Sequence, residues 1–231
     1  MRSVNRDAFQ RTWRQRFDRA LPEKIVCIGL NYRDHAAEQG AELPSEPLLF
    51  GKFPNTLVDP GEPIVLPAGV GHVDAEAELV VVIGRRIRSI AARDALDAVA
   101  GYLCANDVSA RDLQFKDGQW ARAKGFDTFC PISTEIASVD ELGDARGLRV
   151  VQRLNGELLQ DSSTDELIFG VPEIVAHASS VFTLEPGDLI LTGTPAGVGV
   201  YRTPKVALTA GDVVEVEVER VGTVSSPVVG A

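Results

Sequence analysis

The sequence predicts a mainly β, α+β domain, and three observations carry that expectation. Short runs rich in Val, Ile and Leu recur between Gly and Pro along most of the chain: KIVCIGL, EPIVLP, ELVVVIG, GDLILTGTP and GDVVEVEVE. RVVQRLNGELLQ sets Asn155-Gly156, a pair suited to two positive φ values, between two strand-like arms. Helical periodicity is confined to a few short segments. Strands and helices do not alternate as a doubly wound parallel sheet or a TIM barrel requires.

Taken in order, Phe9, Trp13, Phe17 and Leu21 recur every four residues and predict a short amphipathic helix within residues 1–23, ahead of a domain over 24–231. NYRDHAAEQG predicts a second helix, with Asn31 as N-cap and Gly40 as its stop. HVDAEAELVVVIG reads as one strand. IAARDALDAVAG, between Ser89 and Gly101, and VPEIVAHASSVF, with Pro172 in its first turn, read as helices. There is no repeat of fixed period and no long linker, so the main body reads as one domain.

Charge narrows the class of partner. The 231 residues hold 23 Lys plus Arg against 33 Asp plus Glu, a net charge of −10, which opposes nonspecific binding to nucleic acid or to an anionic membrane surface. Cys27, Cys104 and Cys130 are an odd number without a CxxC spacing, which predicts free thiols in a reducing compartment. The basic first residues lack an apolar core and a small-residue cleavage site, and no run approaches the roughly 18 apolar residues of a membrane span. A cytoplasmic protein is expected.

The segment richest in chemistry is HVDAEAELVVVIG. Alternate side chains of a strand share a face, so Asp74, Glu76 and Glu78 line one side just where the run turns uniformly hydrophobic. Such acids either face water on an edge strand or share a cation. A further acid, Asp107, ends the apolar run of GYLCAND. Glu76, Glu78 and Asp107 together make a hard oxygen donor set, suited to Mg²⁺ or Mn²⁺ and not to zinc or copper. His35 and Glu38 are three apart, side by side if helical. His72 and His177 have no companions at ligand spacing and read as structural, while Lys52 is a pocket candidate. TGTPAGVG lacks the Lys-Ser/Thr of a phosphate loop and reads as a turn whose Thr194 and neighbouring amides suit a carboxylate.

Four segments, EAELVVVIG, NDVSARDLQ, KGFDTFCPIS and LEPGDLILTGTPAGVG, resemble in order and spacing the motifs of the fumarylacetoacetate hydrolase family. The likeness runs from about Lys24 to the C-terminus and is closest to the short acylpyruvases, which include fumarylpyruvate hydrolase. It implies rolled, mixed sheets, a homodimer, and one Mg²⁺ or Mn²⁺ held by Glu76, Glu78 and Asp107. It also implies an active-site lysine at Lys124 and substrate contacts from Arg111, Gln114 and Thr194. His35 and Glu38 match a His-x-x-Glu that orders an attacking water. Asp74-Ala75 departs from the aromatic or histidine often found there.

What the resemblance implies for function is hydrolysis of an acylpyruvate-type β-diketo acid, a small 2-oxo acid, to pyruvate and a carboxylic acid. The alternatives are oxaloacetate decarboxylation or tautomerisation, isomerisation of a 2-hydroxyhepta-2,4-diene-1,7-dioate in aromatic catabolism, and a noncatalytic binding protein on the same fold. The His35/Glu38 pair favours hydrolysis, since isomerisation needs no activated water.

Overall fold

The computed structural model describes residues 5–231. Phe9 and Trp13, one turn apart, stack at 4.1 Å on helix α1 (Asp7–Phe17), which stops where Asp18 turns left-handed. Leu21 lies beyond that stop but packs on the same cluster. Next come β1 (Ile25–Gly29), α2 (Arg33–Gln39) and β2 (Leu48–Lys52). The short pieces β3 (Leu57–Val58), β4 (Ile64–Leu66) and β5 (Val73–Asp74) precede β6 (Ala77–Ile83). Then follow β7 (Val99–Asn106), β8 (Ser109–Ala110), α3 (Arg111–Asp117) and α4 (Ala121–Lys124). β9 (Cys130–Pro131), β10 (Ala137–Ser138) and α5 (Val139–Leu142) lead to the hairpin of β11 (Arg149–Leu154) and β12 (Glu157–Ser163). Its turn uses Asn155 at φ 53° and Gly156 at φ 83°, as the sequence predicts. The chain ends in α6 (Val171–Val181), β13 (Leu189–Leu191), β14 (Val213–Val218) and β15 (Gly222–Gly230).

Two mixed sheets organise these pieces. The larger has the order β10-β7-β6-β13-β1-β2 and the smaller β12-β11-β14-β15-β4; β1/β13 and β15/β4 are the parallel pairs within them. The uniform hydrophobicity of β6 follows from its central place, because a strand covered on both faces has no polar side. Leu79, Val81 and Ile83 join the core shared with Val214, Val216 and Val218 of the second sheet. Val80 and Val82 face the opposite way, into the cluster capped by Phe9 and Trp13. Helix α1 therefore closes one side of the larger sheet.

Three local expectations need correction. IAARDALDAVAG forms only a 3₁₀ segment, Ala92–Ala98, because Val99 and Gly101 already pair with Ile83 and Val82 in the β6/β7 ladder. Asn31 does not cap α2. Its amide donates to the carbonyls of Thr192 (2.8 Å) and Phe169 (3.1 Å) and accepts from the Phe169 N–H, tying three segments together, and Tyr32 occupies the cap position. HVDAEAELVVVIG is two strands, since β5 ends at Asp74 and the β6 ladder begins at Ala77, leaving Glu76 between them.

Trp13 is fully buried and its indole N–H donates to the Gly187 carbonyl at 2.9 Å. Trp13→Ala should cost about 3–5 kcal/mol of stability, read by urea unfolding. A loss below about 1 kcal/mol would mean that α1 is dispensable to the core.

Candidate active site

α2 places His35 and Glu38 on one face, and the His35 Nδ1 lies 2.6 Å from Glu38 Oε1. The other carboxylate oxygen, Oε2, accepts the Gly197 N–H at 2.9 Å. With both Glu38 oxygens accepting, Nδ1 is the donor of the pair, which leaves Nε2 as the ring nitrogen that can exchange a proton with the cavity. His35 lines a cavity of about 160 Å³ that also contains Glu76, Glu78, Arg111, Gln114, Lys124 and Thr194.

The three predicted carboxylates converge. Glu76, Glu78 and Asp107 are buried, and each offers an oxygen within 4.8 Å of the others. Like charges so close must be countered. Lys124 Nζ lies 2.6 Å from both Glu76 Oε2 and Asp107 Oδ2, and Arg111 Nη2 lies 2.5 Å from Glu76 Oε1. Burial opposes ionisation of Glu76, yet Arg111 and Lys124 overcome it and hold the carboxyl well below the usual range. The Lys124 ammonium is likewise opposed by burial, and Asp107 and Glu76 more than offset this and raise its pKa. Glu78 differs: among the described residues no Lys or Arg contacts it, and it accepts only the Gly193 N–H, at 2.8 Å. Burial, with the Asp107 and Glu76 charges, pushes its carboxyl well above the ordinary value. A donor set of hard oxygens with one uncompensated carboxylate fits a divalent cation.

Lys52 does not line this cavity. It is buried behind the site, 2.7 Å from Asp107 Oδ1 and donating to the Lys124 carbonyl at 2.6 Å, so it supports Asp107 and the backbone of the active-site lysine. Thr194 lines the cavity, but its hydroxyl donates to the Ala77 carbonyl and accepts from Gln160. The TGTPAGVG amides also depart from expectation. Gly193 serves Glu78, Gly197 serves Glu38 and Gly199 serves Asp74, so three of them, with the next amide, that of Val200, hold carboxylates of the chain itself. Arg111 and Gln114 bond each other at 2.8 Å on the cavity wall. His72 and His177 line no part of the cavity, and the three cysteines are free and buried.

Sequence reasoning missed four contributors. Asn106 accepts the Glu76 N–H, and Gln160 accepts the Ala77 N–H across 83 residues of chain. Trp120 and Tyr201 line the cavity, Trp120 against the Phe50 ring at 4.9 Å and Tyr201 against His35 at 5.9 Å. None has a local spacing that announces it.

Hard oxygen donors beside an imidazole–carboxylate pair are a set that could hold a divalent cation next to a proton acceptor. Residues 24–229 match the family described as fumarylacetoacetate (FAA) hydrolase, C-terminal. The chain belongs to that family. It is 48% identical over 210 residues to the mitochondrial oxaloacetate tautomerase of Xenopus laevis, covering 90% of this chain and 66% of that protein. A human mitochondrial oxaloacetate tautomerase is 44% identical over 90% of this chain and 67% of its own length. Among solved structures, a 2-hydroxyhepta-2,4-diene-1,7-dioate isomerase from Mycobacterium marinum superposes with a TM-score of 0.80 at 43% identity, covering 91% and 75% of the two chains. The chain thus spans about two thirds of the length of the tautomerases it matches. Among the described residues no helix is long and apolar enough to cross a membrane.

Glu78→Ala should weaken Mg²⁺ or Mn²⁺ binding sharply by calorimetry, and wild-type affinity would show that the triad holds no ion. Lys52→Met should destabilise the fold by about 3–5 kcal/mol, since it strips a buried carboxylate of a counter-charge, and chemical unfolding reads that loss.

Proposed function

We propose that the chain is a tautomerase or isomerase of small 2-oxo dicarboxylates, with oxaloacetate as the reference substrate and Mg²⁺ or Mn²⁺ as its ion. The observation that carries this reading is that His35, bonded to Glu38, lines one cavity with Glu76 and Glu78, and Asp107 offers an oxygen within 4.8 Å of both acids. The likeness to oxaloacetate tautomerases and dienedioate isomerases supports it and favours it over the expected acylpyruvase. The acylpyruvase resemblance supplies a base at His35 and Glu38 together with a water for it to activate, and that is why the sequence points to hydrolysis.

Keto–enol exchange moves one proton between the carbon beside the keto group and the keto oxygen, with no bond made to water. Glu76, Glu78 and Asp107 would hold the ion, whose Lewis acidity acidifies that carbon. His35 Nε2 takes the proton from carbon while Glu38 steadies the imidazolium through Nδ1, and the same nitrogen returns it to oxygen. The Lys124 ammonium, fixed beside Glu76 and Asp107, stabilises negative charge developing on the keto oxygen. Arg111 and Gln114 present donors to the substrate's carboxylates.

The test follows enol-oxaloacetate by its ultraviolet absorbance with saturating Mg²⁺. Glu38→Gln should slow ketonisation by about 10²–10⁴-fold with metal affinity unchanged. Acylpyruvate cleavage run in parallel should be much slower than ketonisation in the wild type. The reverse order would return the site to hydrolysis.

A further inference from the structure

We propose that Asp74 is a positioning residue: it sets the orientation of Arg111, through which the cavity receives a substrate carboxylate. This inference rests on the reading of Arg111 as a carboxylate ligand. Asp74 lines no part of the cavity, and Arg111 does.

The geometry is specific. Arg111 donates from Nε to Asp74 Oδ2 at 3.1 Å, from Nη2 to Glu76 Oε1 at 2.5 Å and from Nη1 to Gln114 Oε1 at 2.8 Å. A guanidinium carries five N–H groups in one plane, so three anchors fix that plane and leave one N–H on each terminal nitrogen. Two such donors suit a carboxylate. Without Asp74 the only charged anchor would be Glu76, a candidate cation ligand, and the fork would turn with whatever Glu76 does.

Asp74 is in turn held from behind. It is buried, and it accepts the N–H of Gly199 at 2.9 Å on Oδ1 and that of Val200 at 3.0 Å on Oδ2. A Cβ at Gly199 would stand 2.8 Å from Asp74 Oδ1, so a glycine there lets backbone and carboxylate approach. Gly197, two residues earlier, holds Glu38. The loop that seats Glu38, the partner of His35, therefore also seats the arginine's anchor. The His72 imidazole, 3.9 Å from Asp74 Oδ2, is the other titratable group that packs against it.

Asp74→Asn keeps an oxygen for the Gly199 amide but removes the charge that Arg111 Nε meets. Expected is a rise of about tenfold in KM for enol-oxaloacetate, with kcat within about threefold of wild type, because uniform binding is lost and proton transfer is not. The Kd for oxalate, titrated in the presence of Mn²⁺, should rise by a similar factor. In an Arg111→Lys background Asp74→Asn should add nothing further, since the two side chains act as one unit. A fall in kcat with unchanged KM, or losses that simply add in the double variant, would overturn the proposal and leave Asp74 a loop anchor alone. If the wild type binds oxalate but ketonises no oxaloacetate, the tautomerase reading falls and the oxalate titration decides the Asp74–Arg111 coupling. Failure of the wild type to bind oxalate would overturn both. Should Asp74→Asn not fold, Arg111→Ala titrated with free guanidinium carries the test: restored oxalate binding supports an Asp74/Glu76 seat for the cation, and no restoration overturns it.

Discussion

The interaction on which the rest depends is the Lys124 ammonium held at 2.6 Å from both Glu76 and Asp107 inside the protein. Three carboxylates within 4.8 Å of one another would not stay ionised in a dry interior, because repulsion and burial both favour their neutral forms. Lys124 and Arg111 reverse that balance for Glu76, and Lys52 meets Asp107 from the other side. Glu78, which no Lys or Arg touches among the described residues, is left demanding a positive charge. The ion pairs thus define both the shape of the site and its remaining deficit.

The backbone that makes this possible is the segment after β13. Its amides at Gly193, Gly197, Gly199 and Val200 reach Glu78, Glu38 and Asp74, carboxylates from two separate parts of the chain. A Gly-rich loop after an apolar strand often cradles an external anion, and this one cradles internal ones. α2 is seven residues long, too short to persist by itself, and its Glu38 is seated by this loop across 159 residues of sequence.

Much of this was legible before any coordinates. Uniform hydrophobicity from Leu79 to Ile83 marked β6 as covered on both faces, Asn155-Gly156 marked the β11/β12 hairpin, and the i, i+3 spacing of His35 and Glu38 marked a shared helix face. Parity along the strand brought Glu76 and Glu78 together, although the ladder breaks between Asp74 and Ala77. Errors arose where tertiary demand overrode local pattern. Val99 to Gly101 were drawn into the β7 ladder, and Asn31 became a cross-link instead of a cap. Lys52, Gln160 and Asn106 could not be assigned, because each acts through a partner at least 30 residues away. The four family motifs supplied the ligand set but could not say which proton the base would move.

The paired lysines around Asp107 also bear on what an exchange at that position would do. Lys52 meets Oδ1 at 2.7 Å and Lys124 meets Oδ2 at 2.6 Å, both from inside the protein. Removing the carboxylate would take away an oxygen donor and also leave Lys52 without its anion. Removing Glu78, which no Lys or Arg touches among the described residues, would take away a donor alone. The two acids are therefore unequal members of one set: one is a keystone of the interior's charge balance and the other is not.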